Sequence, residues 1–521
     1  MKKHTILIGM SLITLFVLSA VSPAVHSGSR QKKKNTKKNT QHQKVLSSSR
    51  SAKKVLTTSK KQQVIKQASK QLSGDGKSSV VKIVAQSDIR SGVRYTHMII
   101  RGAEKKHHSV HMMTIDKSVS GNAIVIMKGK DRYNQLERLA DMVPRVDSVE
   151  QSSEILGAVN ANFWRAYLNN PIGPTVINGH VVELPSYKLW SSIFFDKHDK
   201  PTIDRFILTG TVRYPPQRVF AISAVNNRQS LPGVVLYNHF YGHTVPMNVF
   251  PSAEEIEHEL MANRPTDDDS TEHIIQRADI EKMLYERKQS ASIEYGLPKA
   301  QVILLDSPAV NKEVRAVVVQ LRGDSISIPT FGAVISFGSD IPPEKIPARG
   351  DTVTIGFFTN IHRETPLYNS VSGTPRLVRN GIAQHEALIE GSKSSRFIKQ
   401  GLPRTAIGYS ADGMRLFLVS VEAKNSALKT HGATLNDMAI LMQTIGAYQA
   451  MNLDGGGSAA MIIRQFQNIQ QTADQQQVAS RDTTENRENP QQIIVKNVVR
   501  VGSGVSQRRI AVGIGVRVPA R

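Results

Sequence analysis

Residues 451–461 read MNLDGGGSAAM, three consecutive glycines between apolar runs, with Asp454 before them and Ser458 after. Upstream, Thr434 precedes apolar residues at Leu435, Met438, Ala439, Met442 and Ile445, the spacing of one helix face, and Asp437 stands where a capping box wants an acid. That helix is expected to stop near Gly446. AYQAMNL before the glycines and SAAMIIR after them read as buried strands. The glycines are therefore expected to join two strands within the core, not two domains. Glycine lets a ligand approach the main chain, so the amides of Gly455, Gly456 and Gly457 and the hydroxyl of Ser458 are candidates for binding a phosphate or a sugar oxygen. No Gly-Lys-Ser/Thr ending follows and no helix opens directly behind, so this is not a P-loop. Asp454 raises the stretch above an ordinary corner, because a carboxylate ending an apolar strand is costly unless it reacts or is paired. An Asx-type turn is the plain alternative.

Two further stretches share this form. In ILGAVNANFW, residues 155–164, a buried strand runs into Asn160 and Asn162, which fall on one face because strand side chains alternate. Paired amides suit sugar hydroxyls or the orientation of a carboxylate. In LPRTAIGYSADGMRLFLVSVEA, residues 402–423, Asp412 and Gly413 form a hairpin turn between apolar strands, with Arg404 and Thr405 at the hairpin entry. Arginine grips phosphate bidentately, which makes Arg404 the best phosphate clamp in the globular part and Thr405 a candidate for one more hydrogen bond.

Outside these motifs the chain divides by composition. Its 521 residues are 40% hydrophobic, enough for a sizeable core, and carry a formal charge of +24. Residues 30–77 hold fifteen Lys and Arg against Asp75 alone, more than half of that excess, and contain no aromatic residue. Residues 29–79 are thus expected to be a disordered linker that contacts anionic envelope polymer or lipid. The basic charge belongs to that linker, so no specific nucleic-acid partner is expected. Residues 1–28 have Lys2 and Lys3, an apolar run from Ile6 to Val21, and small residues at Ser22 and Ala24. This is the build of an export signal, which places the protein in the periplasm, on the cell surface or in the medium. The absence of cysteine excludes disulfides, thiolate metal sites and a cysteine nucleophile.

Residues 80–521 read as strand-rich. Alternating runs such as VVKIVAQ, YTHMIIRG, HSVHMMTID and VRAVVVQLRG read as strands, and LERLADMVPRVDSVEQSSEIL, residues 136–156, reads as helix. The fold class expected is α+β, with mixed sheets and packed helices. Ser252 and Glu255 form a capping box opening two surface helices over 252–290, an inserted accessory lobe. Residues 465–491 are expected to be a long exposed polar loop.

NLDGGGSAAM with the preceding GATLNDMAILMQTIGAYQA resembles the signature of the phosphodiester glycosidase family. RTAIGYSADG, AVNANFW and GTPRLVRNG resemble further segments of that family, in the same order along the chain, and the likeness covers roughly residues 80–518. The resemblance implies a hydrolase that cleaves the glycosidic bond of sugar-1-phosphodiesters, here in a cell-envelope or exopolysaccharide glycan. It assigns Asp454 and Asn160 to catalysis. Asn162, Arg404, Thr405, Gly455, Gly456, Gly457 and Ser458 would bind the substrate, with Arg508 or Arg509 as a further arginine. Such an enzyme needs no cofactor, and a structural divalent ion stays open.

The second carboxylate of a two-acid scheme is undetermined, with Glu386 and Glu422 as candidates once Asp412 is assigned to its turn and Asp437 to its helix cap. His107, His108 and His111 lie in a polar run and are expected to be exposed, with no metal-binding spacing; His431 is held in reserve. The alternative function is a surface protein that binds phosphate-bearing envelope polysaccharide without cleaving it.

Overall fold

The computed structural model describes residues 79–102, 105–184, 189–248, 250–262, 276–465, 494–497 and 507–520. The expected export signal, the basic linker up to residue 78 and the polar loop from residue 466 lie outside the described residues.

Two sheets face each other at the centre of the molecule. One has eight strands, in the order Ser79–Arg90, Val93–Arg101, His107–Asp116, Arg415–Val421, Arg404–Tyr409, Gln449–Asn452, Arg376–Arg379 and Ile382–Ala383. The other has five, in the order Ile494–Asn497, Met461–Gln465, Ser153–Asn160, Val512–Pro519 and Ala123–Lys128. Met113, Ile407, Leu418 and Met451 from the first and Leu156, Val159, Met461, Ile514 and Val516 from the second share one buried core. The other face of the eight-stranded sheet is covered by the helix Leu435–Thr444, whose Met438, Leu441 and Met442 pack against Ala406, Phe417 and Val419. Thr434 caps this helix as expected, with reciprocal bonds between its hydroxyl and the Asp437 amide, and between the Asp437 carboxylate and its own N–H.

A closed barrel of seven strands lies between the Asn160 and Arg404 strands in sequence, running Leu208–Tyr214, Arg218–Val225, Val234–Tyr237, Gly332–Phe337, Lys299–Leu304, Lys312–Arg322 and Thr352–Thr359 around its wall. Val212, Val302, Ile335 and Val353 help fill its own core. The fold is thus strand-dominated, with five α-helices among the described residues. Two of them, Ala253–Ala262 and Arg277–Glu294, occupy the expected insertion, and Ser252 and Glu255 cap each other at its start.

Two expectations are corrected. The helix expected over 136–156 runs only from Leu139 to Val149; Ser153 onward is strand, because Leu156 fills the central core while Ile155 on the opposite face of the five-stranded sheet packs against Leu139, Met142 and Val143 of the helix. His108 and His111 are buried, not exposed: His108 Nδ1 donates to the His431 carbonyl, and His111 bridges Tyr95 and Glu422. Polar composition misled there, since histidines whose ring nitrogens find partners are tolerated inside a sheet layer.

Candidate active site

The tri-glycine carries the chain from one central sheet to the other. Strand Gln449–Asn452 belongs to the eight-stranded sheet and Met461–Gln465 to the five-stranded one, with a single 3-10 turn, Gly456–Ser458, between them. Gly455 runs close to the hairpin entry: a Cβ there would sit 2.8 Å from the Pro403 carbonyl oxygen. Gly456 adopts φ +56°, the left-handed region that side chains disfavour. This tight crossing brings Asn160, Arg404, Thr405 and Asp454 to the same end of the two sheets.

Asn160 is fully buried and ties the three motifs together. Its Oδ1 accepts from the Thr405 hydroxyl at 2.6 Å and from the Ala460 amide at 3.0 Å, and its Nδ2 donates to the Asp454 carbonyl at 2.7 Å. The Asp454 amide donates to the Ala161 carbonyl at 2.9 Å. Asp454 is thus fixed at its main chain by the Asn160 strand. Its carboxylate accepts from the Gly455 amide at 2.9 Å. Loss of water pushes its pKa up to about 6, against the pull of the Ser458 hydroxyl, the Arg508 guanidinium and the Gly455 amide. Ser458 lies close enough to favour the ionised carboxylate, yet its buried Oγ completes no hydrogen bond in the described structure.

Arg404 is buried and remains charged, its pKa lowered by burial to about 10. Its Nε donates to the Ala433 carbonyl at 3.0 Å and its Nη2 to those of Phe397 and Gln400 at 2.6 and 3.3 Å, while the guanidinium lies 5.1 Å from the Phe397 ring. The fork expected to grip phosphate is therefore largely turned onto backbone carbonyls, where it holds the segment beside the site. The expected cradle of three glycine amides narrows likewise, since Gly455 N–H binds the Asp454 carboxylate and Gly456 N–H binds the Pro403 carbonyl. Thr405 is engaged by Asn160. Asn162 donates to Ile172 and Thr175, and its buried Oδ1 has no partner among the described residues.

The two C-terminal arginines lie in different surroundings. Arg508 acts on the Asp454 carboxylate and lies 5.2 Å from the Trp164 ring, with a buried Nε lacking a partner among the described residues. Arg509 points instead into a separate cleft. Sequence reading missed the aromatic wall: Phe163 meets Trp190 at 5.4 Å and Phe397 at 6.2 Å, edge to face. Trp190 and Phe397 stand in stretches without a motif, so only the fold brings them here. Both candidates for a second carboxylate have other partners, Glu386 with Arg379 and Glu422 with His111. Among the described residues no other carboxylate acts on Asp454, and no cluster of His, Asp and Glu is suited to a metal.

A family model described as phosphodiester glycosidase matches residues 332–516, which contain Arg404, Thr405, Asp454 to Ser458 and Arg508. N-acetylglucosamine-1-phosphodiester alpha-N-acetylglucosaminidase of Bos taurus is 29% identical over 126 residues, an alignment spanning 22% of this chain and 23% of that protein. The crystal structure of a hypothetical protein from Synechocystis shares the fold, with TM-score 0.52 and 16% identity over 84% of this chain and 64% of that one. The zebrafish N-acetylglucosamine-1-phosphodiester alpha-N-acetylglucosaminidase catalytic domain aligns with TM-score 0.37 and 11% identity over 86% of this chain and 88% of its own. Residues 332–516 are thus similar to a phosphodiester glycosidase domain, and the curated relative is matched over less than a quarter of its length.

Proposed function

We propose that the protein hydrolyses the glycosidic bond of a sugar-1-phosphodiester, with Asp454 as the carboxylate at the reacting carbon. The observation that carries this reading is the Asp454 carboxylate itself, raised to about 6, with the Ser458 hydroxyl and the Arg508 guanidinium acting on it and with the buried Arg508 Nε lacking a partner among the described residues. A buried donor in that condition calls for a ligand acceptor.

In the proposed reaction the bond between the anomeric carbon and the phosphate oxygen breaks, its electron pair leaving on the phosphate. Water supplies the oxygen that replaces it. The developing oxocarbenium charge is met by ionised Asp454, as nucleophile or as counter-charge. A phosphate ester is already a good leaving group, so the lack of a second free carboxylate among the described residues is no obstacle. Arg508, the Ser458 hydroxyl and the Gly457 amide would receive the phosphate, with Arg404 adding positive charge behind them. Asn162 Oδ1 is an acceptor for a sugar hydroxyl, and the wall of Phe163, Trp164 and Trp190 offers apolar faces to the ring. Asn160 and Thr405 act as positioning residues that fix the main chain of Asp454.

The substrate proposed is an envelope or exopolysaccharide glycan, a reading supported by the export-type N-terminus and the basic segment that follows it. The test is release of free sugar from a panel of sugar-1-phosphodiesters by the purified full-length protein and by Asp454→Asn. Turnover abolished in a variant that still melts cooperatively supports the proposal. Wild-type protein that raises its melting temperature with the panel yet releases no sugar would leave only glycan binding.

A further inference from the structure

Arg509, the chain neighbour of Arg508, lines a separate cleft. This cleft of about 840 Å³ lies between the helical insertion and the body of the protein, reached by Lys130, Arg287 and Arg509, with Tyr133 and Tyr241 at its base. The two tyrosine rings stack, with centroids 5.7 Å apart. Arg287 is the informative residue. It is 7% exposed, and its Nη2 pairs with Glu259, but Nε and Nη1 are buried without a partner among the described residues. A buried guanidinium with two unmet donors on a cavity wall is costly, and an anion in the cavity would satisfy both.

Three carboxylates on the insertion side, Glu254, Glu255 and Glu259, stand against four basic groups, Lys130, Arg132, Arg287 and Arg509. Glu259 is bonded by Arg287 and Asn169, and Glu255 caps its own helix through the Ser252 amide, which leaves Glu254. One loop connects the cleft to the Asp454 site. Residues 161–170 begin at the Asp454 amide, carry Trp164 against Arg508, and end at Asn169 against Glu259. Tyr167 in the same loop meets Asp279 and Lys282 of the second insertion helix.

We propose that this cleft is an extension subsite that holds a further phosphate of a phosphodiester-linked polyol or sugar chain, so that the substrate is an oligomer or polymer and not a single sugar phosphodiester. The choice of ligand class rests on the phosphodiester reading of the Asp454 site; the cationic cleft itself does not. Arg287 and Arg509 supply charge-assisted hydrogen bonds to the phosphate, and the tyrosines line the neutral part of the repeat.

The chain has no cysteine, so one introduced thiol reports on one place. Met247 lines the cleft, and Met414 is exposed on the hairpin beyond Asp412. Full-length Met247→Cys protein is alkylated with and without a short glycerol-phosphate oligomer, which contains no glycosidic bond and so reads binding without turnover. The oligomer is expected to slow alkylation at Met247→Cys and not at Met414→Cys. The half-protecting concentration should rise roughly tenfold when Arg509→Gln or Arg287→Met is added, the loss of about one charge-assisted hydrogen bond. Arg509→Gln leaves the buried Glu259–Arg287 pair intact, so it remains informative if Arg287→Met fails to fold.

Absence of protection, or protection unchanged in both variants, would overturn the subsite. Equal protection by an oligonucleotide with the same number of phosphates would overturn its assignment to a polyol or sugar chain. Sugar release is scored separately. Protection that depends on Arg509 in a protein releasing no sugar leaves the subsite standing while the hydrolase reading falls, and sugar release without protection does the reverse.

Discussion

Asp454 combines two demands that conflict in an ordinary protein: it is shielded from water, which favours its neutral form, and in the proposed reaction it must be ionised to meet a cationic transition state. The raised value of about 6 sets where those demands balance. If the ionised form reacts, kcat/KM should fall roughly tenfold per pH unit below about 6, measured with a substrate that does not titrate there. Stability moves in the other direction. In strong acid both folded and unfolded chains hold the proton; between the ordinary carboxyl range and about 6 only the folded state does, so stability declines as pH rises through that window. Asp454→Asn should therefore raise the melting temperature at mildly alkaline pH and leave it unchanged in acid. Asn160→Ala should behave differently: it strands the Thr405 hydroxyl, the Ala460 amide and the Asp454 carbonyl, a destabilisation of about 3 kcal/mol by denaturant unfolding. At this scale much of the site was legible in sequence, because Asp454, Asn160 and Thr405 stand in recognisable motifs. Their division of labour was not. Whether an arginine fork meets a ligand or three carbonyls depends on where Phe397, Gln400 and Ala433 lie in space.

The element that decides the site is the crossing between the two central sheets. Its glycines are needed for different reasons, which predicts unequal costs. Gly456→Ala meets empty space and suffers only from its left-handed backbone, about 1–2 kcal/mol. Gly455→Ala meets the Pro403 carbonyl oxygen and must push the hairpin entry away, so it should damage activity more than its stability change accounts for. Comparing kcat/KM with the unfolding midpoint in the two variants separates these effects. The strands either side, the Thr434 cap and the Asp412–Gly413 hairpin were all readable from local patterns, since each is fixed by periodicity or by a residue bonding to its own neighbours. The helix expected to continue to residue 156 was not, because helical spacing persisted in the pattern after the chain had turned into a strand of the central core.

Across the whole molecule, cores from separate layers hold the site in place from behind. Met451 is fully buried between the two central sheets, two residues before Leu453 and the Asp454 turn. Met451→Ala should cost about 2–5 kcal/mol in denaturant unfolding. The closed barrel and the pairing of distant strands were not legible in sequence: strand-like runs can be counted, but closure depends on Leu208–Tyr214 pairing with Thr352–Thr359, some 140 residues away. The aromatic wall was hidden for the same reason, since Phe163, Trp190 and Phe397 come from three separate segments. The central claim is that the protein breaks the carbon–oxygen bond of a sugar-1-phosphodiester. Hydrolysis in water enriched in heavy oxygen, with mass analysis of the released phosphate monoester, tests it most directly. Cleavage at the anomeric carbon leaves that phosphate unlabelled, as the account predicts; one heavy oxygen in the phosphate would mean attack at phosphorus and would contradict it.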